Sequence, residues 1–291
     1  MKPIVILIAG GCLTWSSLAL AEDPGSSPAP AENAAKPAAK ADKPEVPADL
    51  IDEAHVREEL AINEFTAPSI AKLFETLQFL MPIPLADVER KMPEKKPMDR
   101  VNWAVELGFL IADGFLVVQA GQMDKVENLA ATMTDYGKAL GIGDRVNRHA
   151  APMREHAKKG EVEQLKTELS AMQDDVQFEL VRLKDADLAH LISLGGWIRA
   201  LEVATAAVEK QFSAERATKV MREDIADYYT ESVAGLHPSI SERANFLEMR
   251  DILSGLRSEM VINKGEEPTK QQITEISGKA AELAELSLQR R

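Results

Sequence analysis

Residues 101–119 read VNWAVELGFLIADGFLVVQ, and residues 188–202 read LAHLISLGGWIRALE. Neither stretch alternates in the two-residue period of a half-buried strand. Wound at 3.6 residues per turn, the first is apolar around almost its whole circumference. Such a helix must be covered on several sides, which places it at the centre of a helical body. Each stretch carries a Leu-Gly step, Leu107-Gly108 and Leu194-Gly195-Gly196. A glycine inside a helix costs about 1 kcal/mol relative to alanine, and close backbone contact between the two helices is the simplest compensation. Crossing at those glycines would let Asp113 meet Arg199, since each lies a turn or slightly more beyond its glycine.

The polar residues of this pair decide how it is read functionally. Glu106 and Asp113, seven residues apart, share one face and are separated by about 10 Å of helical rise. His190, Arg199 and Glu202 interrupt the later helix. A buried charge is costly unless paired, so partners are expected for each. One reading is a buried ion-pair network that fixes helix register. The other is a small polar site between the helices at 101–119 and 188–205, where Arg199 receives an anion while Asp113 and Glu202 orient it or handle a proton.

Outward from this pair, the periodicity from Ala48 to the end is helical, with no run of β-branched alternation between turn signals. The expected fold is all-α, a multi-helix bundle built from stacked antiparallel helical hairpins over residues 48–291. A first helix is expected over Leu50–Ala61, and a second after the cap Thr66, running through Ile70, Leu73, Phe74 and Leu77 to Leu80. Pro82, Pro84, Pro93 and Pro97 then impose a long loop, a kind of segment often used for function. Gly121, Gly141 and Gly160 mark short turns between helices, with Asp124 and Asp144 opening the next ones and Pro152 kinking the helix that ends at Gly160. Glu161 is expected to start the longest helix, reaching about Phe212. Shorter helices follow at Ala214–Met221 and Asp224–Ala234, then one from Ser239 or Ser241 to Ile262. Thr269 with Gln272 forms a capping box for a last helix whose stripe is Ile273, Ile276, Ala280 and Leu283.

The N-terminal part is of another kind. Lys2, an apolar run from Ile4 to Leu13, and Ala19-Leu20-Ala21 give residues 1–21 the order of a cleavable signal peptide, which implies a periplasmic or secreted protein. An uncleaved signal, or lipidation of Cys12 after Gly11, would be the routes to membrane contact. Residues 22–47, rich in Pro, Ala and Lys, read as a disordered linker. Cys12 is the only cysteine, so cleavage leaves a body without disulfides or thiolate chemistry. The formal net charge of −13, with no basic arm interleaved with aromatics, argues against nucleic acid as a partner.

Catalytic and cofactor signatures are few. No Gly-x-Ser-x-Gly or His-Glu-x-x-His occurs, Gly141-Ile142-Gly143 is a helix stop, and no cofactor is implied. Asp187 and His190 share a helical face at a spacing that bundle metal sites use, as do Asp52 and His55, but with Asp where that pattern has Glu. They are weak candidates for a metal. Arg145, Arg148, His149 and His156, with Pro152, approximate one basic face that could seat a phosphate, a lipid headgroup or an acidic partner, or simply pair with the acidic body. The sequence points first to an exported helical interaction or scaffolding protein with a partner in the cell envelope and no evident catalytic activity. An anion- or metal-binding bundle, enzymatic or not, is the alternative.

Overall fold

The computed structural model describes residues 45–50 and 68–289, which lie in one compact unit running from Lys43 onward. The expected signal peptide, nearly all of the expected linker and the Asp52/His55 pair lie outside the described residues, as does the first expected helix beyond its start, where Ala48–Leu50 form a 3-10 turn. The helices are α1 (Ile70–Gln78), α2 (Leu85–Val88), α3 (Arg100–Gln119), α4 (Val126–Leu140), α5 (Gly143–Lys159), α6 (Val162–Arg182) and α7 (Ala186–Lys210). They continue as α8 (Ala214–Thr218), α9 (Glu223–Gly235), α10 (Pro238–Ser241), α11 (Ala244–Met260) and α12 (Lys270–Ser287), with no strand among the described residues. The chain is an all-α bundle of stacked helical hairpins.

Helices α3 and α7 form the axis of the body and share its most extensive helix contact. Both are long and apolar enough to cross a membrane, yet 83% and 89% of their apolar windows are buried inside the protein. The glycines explain how they fit. A Cβ on Gly108 would lie 2.0 Å from the Ile192 carbonyl oxygen, and one on Gly195 would lie 2.2 Å from that of Val105. The backbones therefore touch where the sequence places its Leu-Gly steps. Val105 faces Gly195 and Asp113 meets Arg199, so residue numbers rise together along the two helices. They run parallel, separated in the chain by the three helices α4 to α6.

Those three wind around the axis as successive antiparallel hairpins. Gly121, Gly141 and Gly160 each turn the chain with a positive φ, of 71°, 83° and 70°, a conformation open to glycine because it lacks a Cβ. The turn from α6 to α7 uses Lys184 instead, at φ 64°. Here the sequence reading needs correction, because the helix expected over 161–212 is two helices. Lys184 donates to the Val181 carbonyl and Asp185 to that of Leu180, closing α6, while the Asp185 carboxylate accepts from Arg100 at 2.8 Å. A lysine in this region costs roughly 1–2 kcal/mol, and no glycine or proline marks the break.

Smaller corrections concern helix ends. Ser69, whose hydroxyl accepts from the Lys72 backbone, caps α1 in place of Thr66. A 3-10 turn at Met123–Lys125 precedes α4, and Ile142 is the residue before α5, with Asp144 in its first turn. Helix α5 runs through Pro152 to Lys159. The helix expected to reach Ile262 is divided into α10 and α11. Val46, counted in the linker, is buried in the core at 7% exposure, so the packed body begins before residue 48. The capping box at Thr269 and Gln272 is present as expected, and Ile273, Ile276, Ala280 and Leu283 are all buried.

Candidate functional site

Arg199 is the largest fully buried side chain in the described residues, at 0% exposure. Its Nε donates to Asp113 Oδ1 at 2.7 Å, Nη1 to Glu202 Oε2 at 2.7 Å, and Nη2 to the Val88 carbonyl at 2.5 Å. Although burial desolvates the guanidinium, Asp113 and Glu202 hold its pKa above the usual value. Arg90 closes the cluster from the outside, donating through Nε and Nη2 to both Glu202 oxygens at 3.1 and 2.7 Å while its guanidinium lies over the Phe109 ring. The predicted meeting of Asp113 and Arg199 occurs. The acids are less buried than the sequence suggests: Asp113 and Glu202 are intermediate, because they face the surface loop that carries Arg90.

The other polar candidates go elsewhere. Glu106 is buried but accepts from the Tyr136 hydroxyl on α4, so it stands apart from the Arg199 cluster. His190 is half-buried, its Nδ1 3.4 Å from the Tyr228 hydroxyl, while Asp187 accepts from the His237 backbone at 3.0 Å. The two are engaged by different partners. No group of three or more His, Cys, Asp or Glu that could hold a metal occurs among the described residues.

The basic face of α5 is matched by acids of α6 and by Glu161, the residue before it. Arg145 pairs with Glu179 at 2.9 Å, Arg148 with Asp175 at 3.2 Å, and His156 with Glu161 at 2.6 Å. His149, buried at 7% exposure, has Glu168 at 2.6 Å from Nδ1 and Asp175 at 3.2 Å from Nε2. Both ring nitrogens of His149 thus face a carboxylate of α6. Glu179 is also held by Arg182, whose hydrogen bond, with the charge of Arg145, lowers the Glu179 carboxyl below its ordinary value.

Sequence reasoning missed three features. The loop after α1 is fastened to the body at many points: Asp87 to Lys210 at 2.9 Å, Glu89 to Lys125, Lys96 to Asp135 at 2.9 Å, and the Leu80 and Met81 carbonyls to Arg216 at 2.9 and 3.4 Å. Leu80, Ile83 and Val88 plug it into the core. Exposed on it are Phe79 at 46%, Met81 at 42% and Met98 at 97%. The second feature is a pair of buried glutamines one turn apart on α6. Gln173 accepts from the Ile70 backbone at 3.0 Å, whereas Gln177 is fully buried with neither end of its amide hydrogen-bonded. Their signal was two amides inside the apolar stripe Leu165, Leu169, Met172, Val176 and Leu180.

The third is a cleft of about 500 Å³ where α1, α3 and α6 diverge. The Phe74 and Phe115 rings, stacked with centroids 5.6 Å apart, contribute to its apolar side. Glu75, Gln78, Glu163, Lys166, Thr167 and Ser170 supply polar groups. Gln119, the last residue of α3, also lines it, and the Gln119 Nε2 is sealed from water without an acceptor.

Comparison with known protein families, with curated proteins and with solved structures finds no match for this chain. Function must therefore be argued from the geometry.

Proposed function

We propose that this protein is an exported, non-catalytic helical interaction protein of the cell envelope, and that it presents the loop between α1 and α3 to a protein partner. One observation carries the reading. The Arg199 guanidinium, the most deeply buried charge in the body, is used to hold that loop, through the Val88 carbonyl directly and through Glu202 to Arg90. An irregular segment of this length loses about 1–2 kcal/mol of backbone conformational freedom per residue when ordered. The core plugs and ion pairs that offset this cost hold a surface bearing Phe79, Met81 and Met98 in a fixed shape. Large exposed apolar side chains on a preorganised loop suit protein recognition. The same contacts weigh against an anion site between α3 and α7, because Asp113, Glu202 and a backbone carbonyl already occupy the faces of Arg199 from which an anion would be bound.

The test places a photoreactive amino acid at position 98 of the full chain, expressed in its own cells. A discrete crosslinked adduct is expected, and it should be lost when Arg199→Met frees the loop. Absence of an adduct, or one equally strong from the exposed position Lys264, would refute the reading.

A further inference from the structure

The α1–α3 loop leaves α1 at the same end of the body where α7 passes into α8, and exposed apolar side chains meet there. Phe79 and Met81 come from the loop, and Phe212, 37% exposed, from the link between the two helices. Arg216 on α8 ties these segments to one another. Its Nη2 donates to the Leu80 carbonyl at 2.9 Å and to that of Ala207 on α7 at 3.1 Å, and its Nη1 to that of Met81 at 3.4 Å. Leu80 is set into the core between its two exposed neighbours, so the fold itself keeps Phe79 and Met81 at the surface. Met98 belongs to the other end of the loop, beside the start of α3, which Arg100 ties to Asp185 before α7.

The charge at this end is unusual for so acidic a chain, which has 47 acidic against 34 basic residues. Lys219 Nζ lies 4.9 Å from the centroid of the Phe79 ring. Among the described residues no carboxylate stands within ion-pair distance of Lys219 or Arg216, and Glu215, exposed on α8, pairs with neither. Neighbouring cations are engaged: Lys210 by Asp87, and Arg222 by Asp49 and Asp224. Two cations without acids beside three apolar side chains complement a segment that carries a carboxylate next to an apolar anchor. A short peptide meets only this local charge, because screening confines it to about 8 Å at physiological salt. An anionic lipid surface would meet the whole body, whose formal net charge is −13.

We propose that Phe79, Met81 and Phe212, with Lys219 and Arg216, form a docking site for an acidic peptide segment of the partner protein. An aspartate or glutamate of that segment pairs with Lys219 in the positive field of Arg216, and a neighbouring aromatic or aliphatic side chain lies against Phe79 and Met81. The site rests on the reading of the α1–α3 loop as an interaction surface.

The test selects a random peptide library on the immobilised full chain, then titrates a labelled selected peptide against the protein by fluorescence anisotropy. Selected sequences should place Asp or Glu within a few residues of an aromatic or aliphatic side chain. Lys219→Glu and Phe79→Ser should each weaken binding at least about tenfold, while Lys264→Glu, at another exposed position, leaves it unchanged. Melting temperatures should hold for Lys219→Glu, an exposed side chain without a hydrogen bond of its own, which decides the matter if Phe79→Ser does not fold. The proposal is overturned if no sequence is enriched, if enriched sequences lack acids, or if Lys219→Glu binds as the wild type does. Binding of the wild type to phosphatidylglycerol vesicles that is lost in Lys219→Glu would also overturn it, in favour of a lipid surface. If the crosslinked adduct at position 98 forms while the peptide results fail, this site alone is struck; failure of both strikes the reading of the loop as well.

Discussion

Substituting Gly108 by alanine tests the central crossing of the fold. The new Cβ would stand 2.0 Å from the Ile192 carbonyl oxygen, 2.8 Å from the Gly196 nitrogen and 2.9 Å from the Ile192 carbonyl carbon, all backbone atoms of α7. Ordinary contact begins at 3.4 Å, so the two helices must separate locally by about 1.4 Å. A radial gap of 0.5–1 Å already forfeits roughly a quarter to a half of the dispersion attraction of the atoms it parts. Overpacking of this kind costs about 1–3 kcal/mol and occasionally more. Backbone cannot rotate aside as a side chain can, which puts Gly108→Ala at or beyond the upper end. Alanine returns about 1 kcal/mol through helix propensity, leaving a net loss of about 2 kcal/mol or more. For a body of this size, each kcal/mol moves the melting temperature by about 2–4 °C, so a fall of roughly 4–8 °C is expected by calorimetry or circular dichroism. The control is Gly278→Ala on α12, an exposed helical site whose Cβ would meet nothing within 4 Å. There the propensity gain stands alone, and stability should rise by about 0.5–1 kcal/mol. A Gly108→Ala protein that melts at or above the wild type would refute the close crossing of α3 and α7.

Four further outcomes follow from the same contacts. Arg199→Met leaves Asp113 without its cation and frees the Val88 carbonyl, so a loss of about 3–5 kcal/mol is expected in denaturant unfolding, with new proteolytic cleavage between residues 79 and 99. Gln177→Met removes a fully buried amide that makes no hydrogen bond, and should be neutral or stabilising in the same assay, whereas an equivalent substitution of Gln173 should destabilise. The lowered pKa of Glu179 means that its contribution to stability is complete above the unfolded carboxyl value and disappears as pH falls through the lower folded value. Glu179→Gln should therefore flatten the acid limb of a stability-versus-pH curve and leave its shape at neutral pH unchanged. Thr269→Ala opens the capping box of α12 and should cost about 0.5–2 kcal/mol.

How much of this was legible in the sequence depended on whether a feature was local. The apolar circumference of 101–119 and the two Leu-Gly steps sufficed to place α3 against α7 and to bring Asp113 to Arg199, because helical spacing alone relates those residues. Gly121, Gly141 and Gly160 announced their turns through the backbone freedom they supply. Lys184 announced nothing, since a lysine in the left-handed region is held there by the closing hydrogen bonds of α6 and not by its own preference, and two helices were read as one. Arg90, Tyr136 and Gln119 were illegible for another reason. Arg90 and Tyr136 meet partners far along the chain, and Gln119 lines a cleft closed by helices far from it in sequence. The basic face of α5 was read correctly as a face, but its matching acids, Glu168, Asp175 and Glu179, became visible only when α6 folded back on it.

The parallel run of α3 and α7 also sets the order in which the body can be assembled. Adjacent hairpins can pair as soon as each second arm exists, but α3 cannot meet its main partner until α4, α5 and α6 have been made and turned. Through that interval a newly made chain carries a helix of 20 residues, about 30 Å long and as apolar as a bilayer-spanning segment, with the side meant for α7 still uncovered. A holding chaperone, or any machinery that sorts segments by hydrophobicity, would meet α3 in that form. The glycines that let α7 close over it therefore serve to end that exposure, as well as to set how tightly the two helices are finally packed.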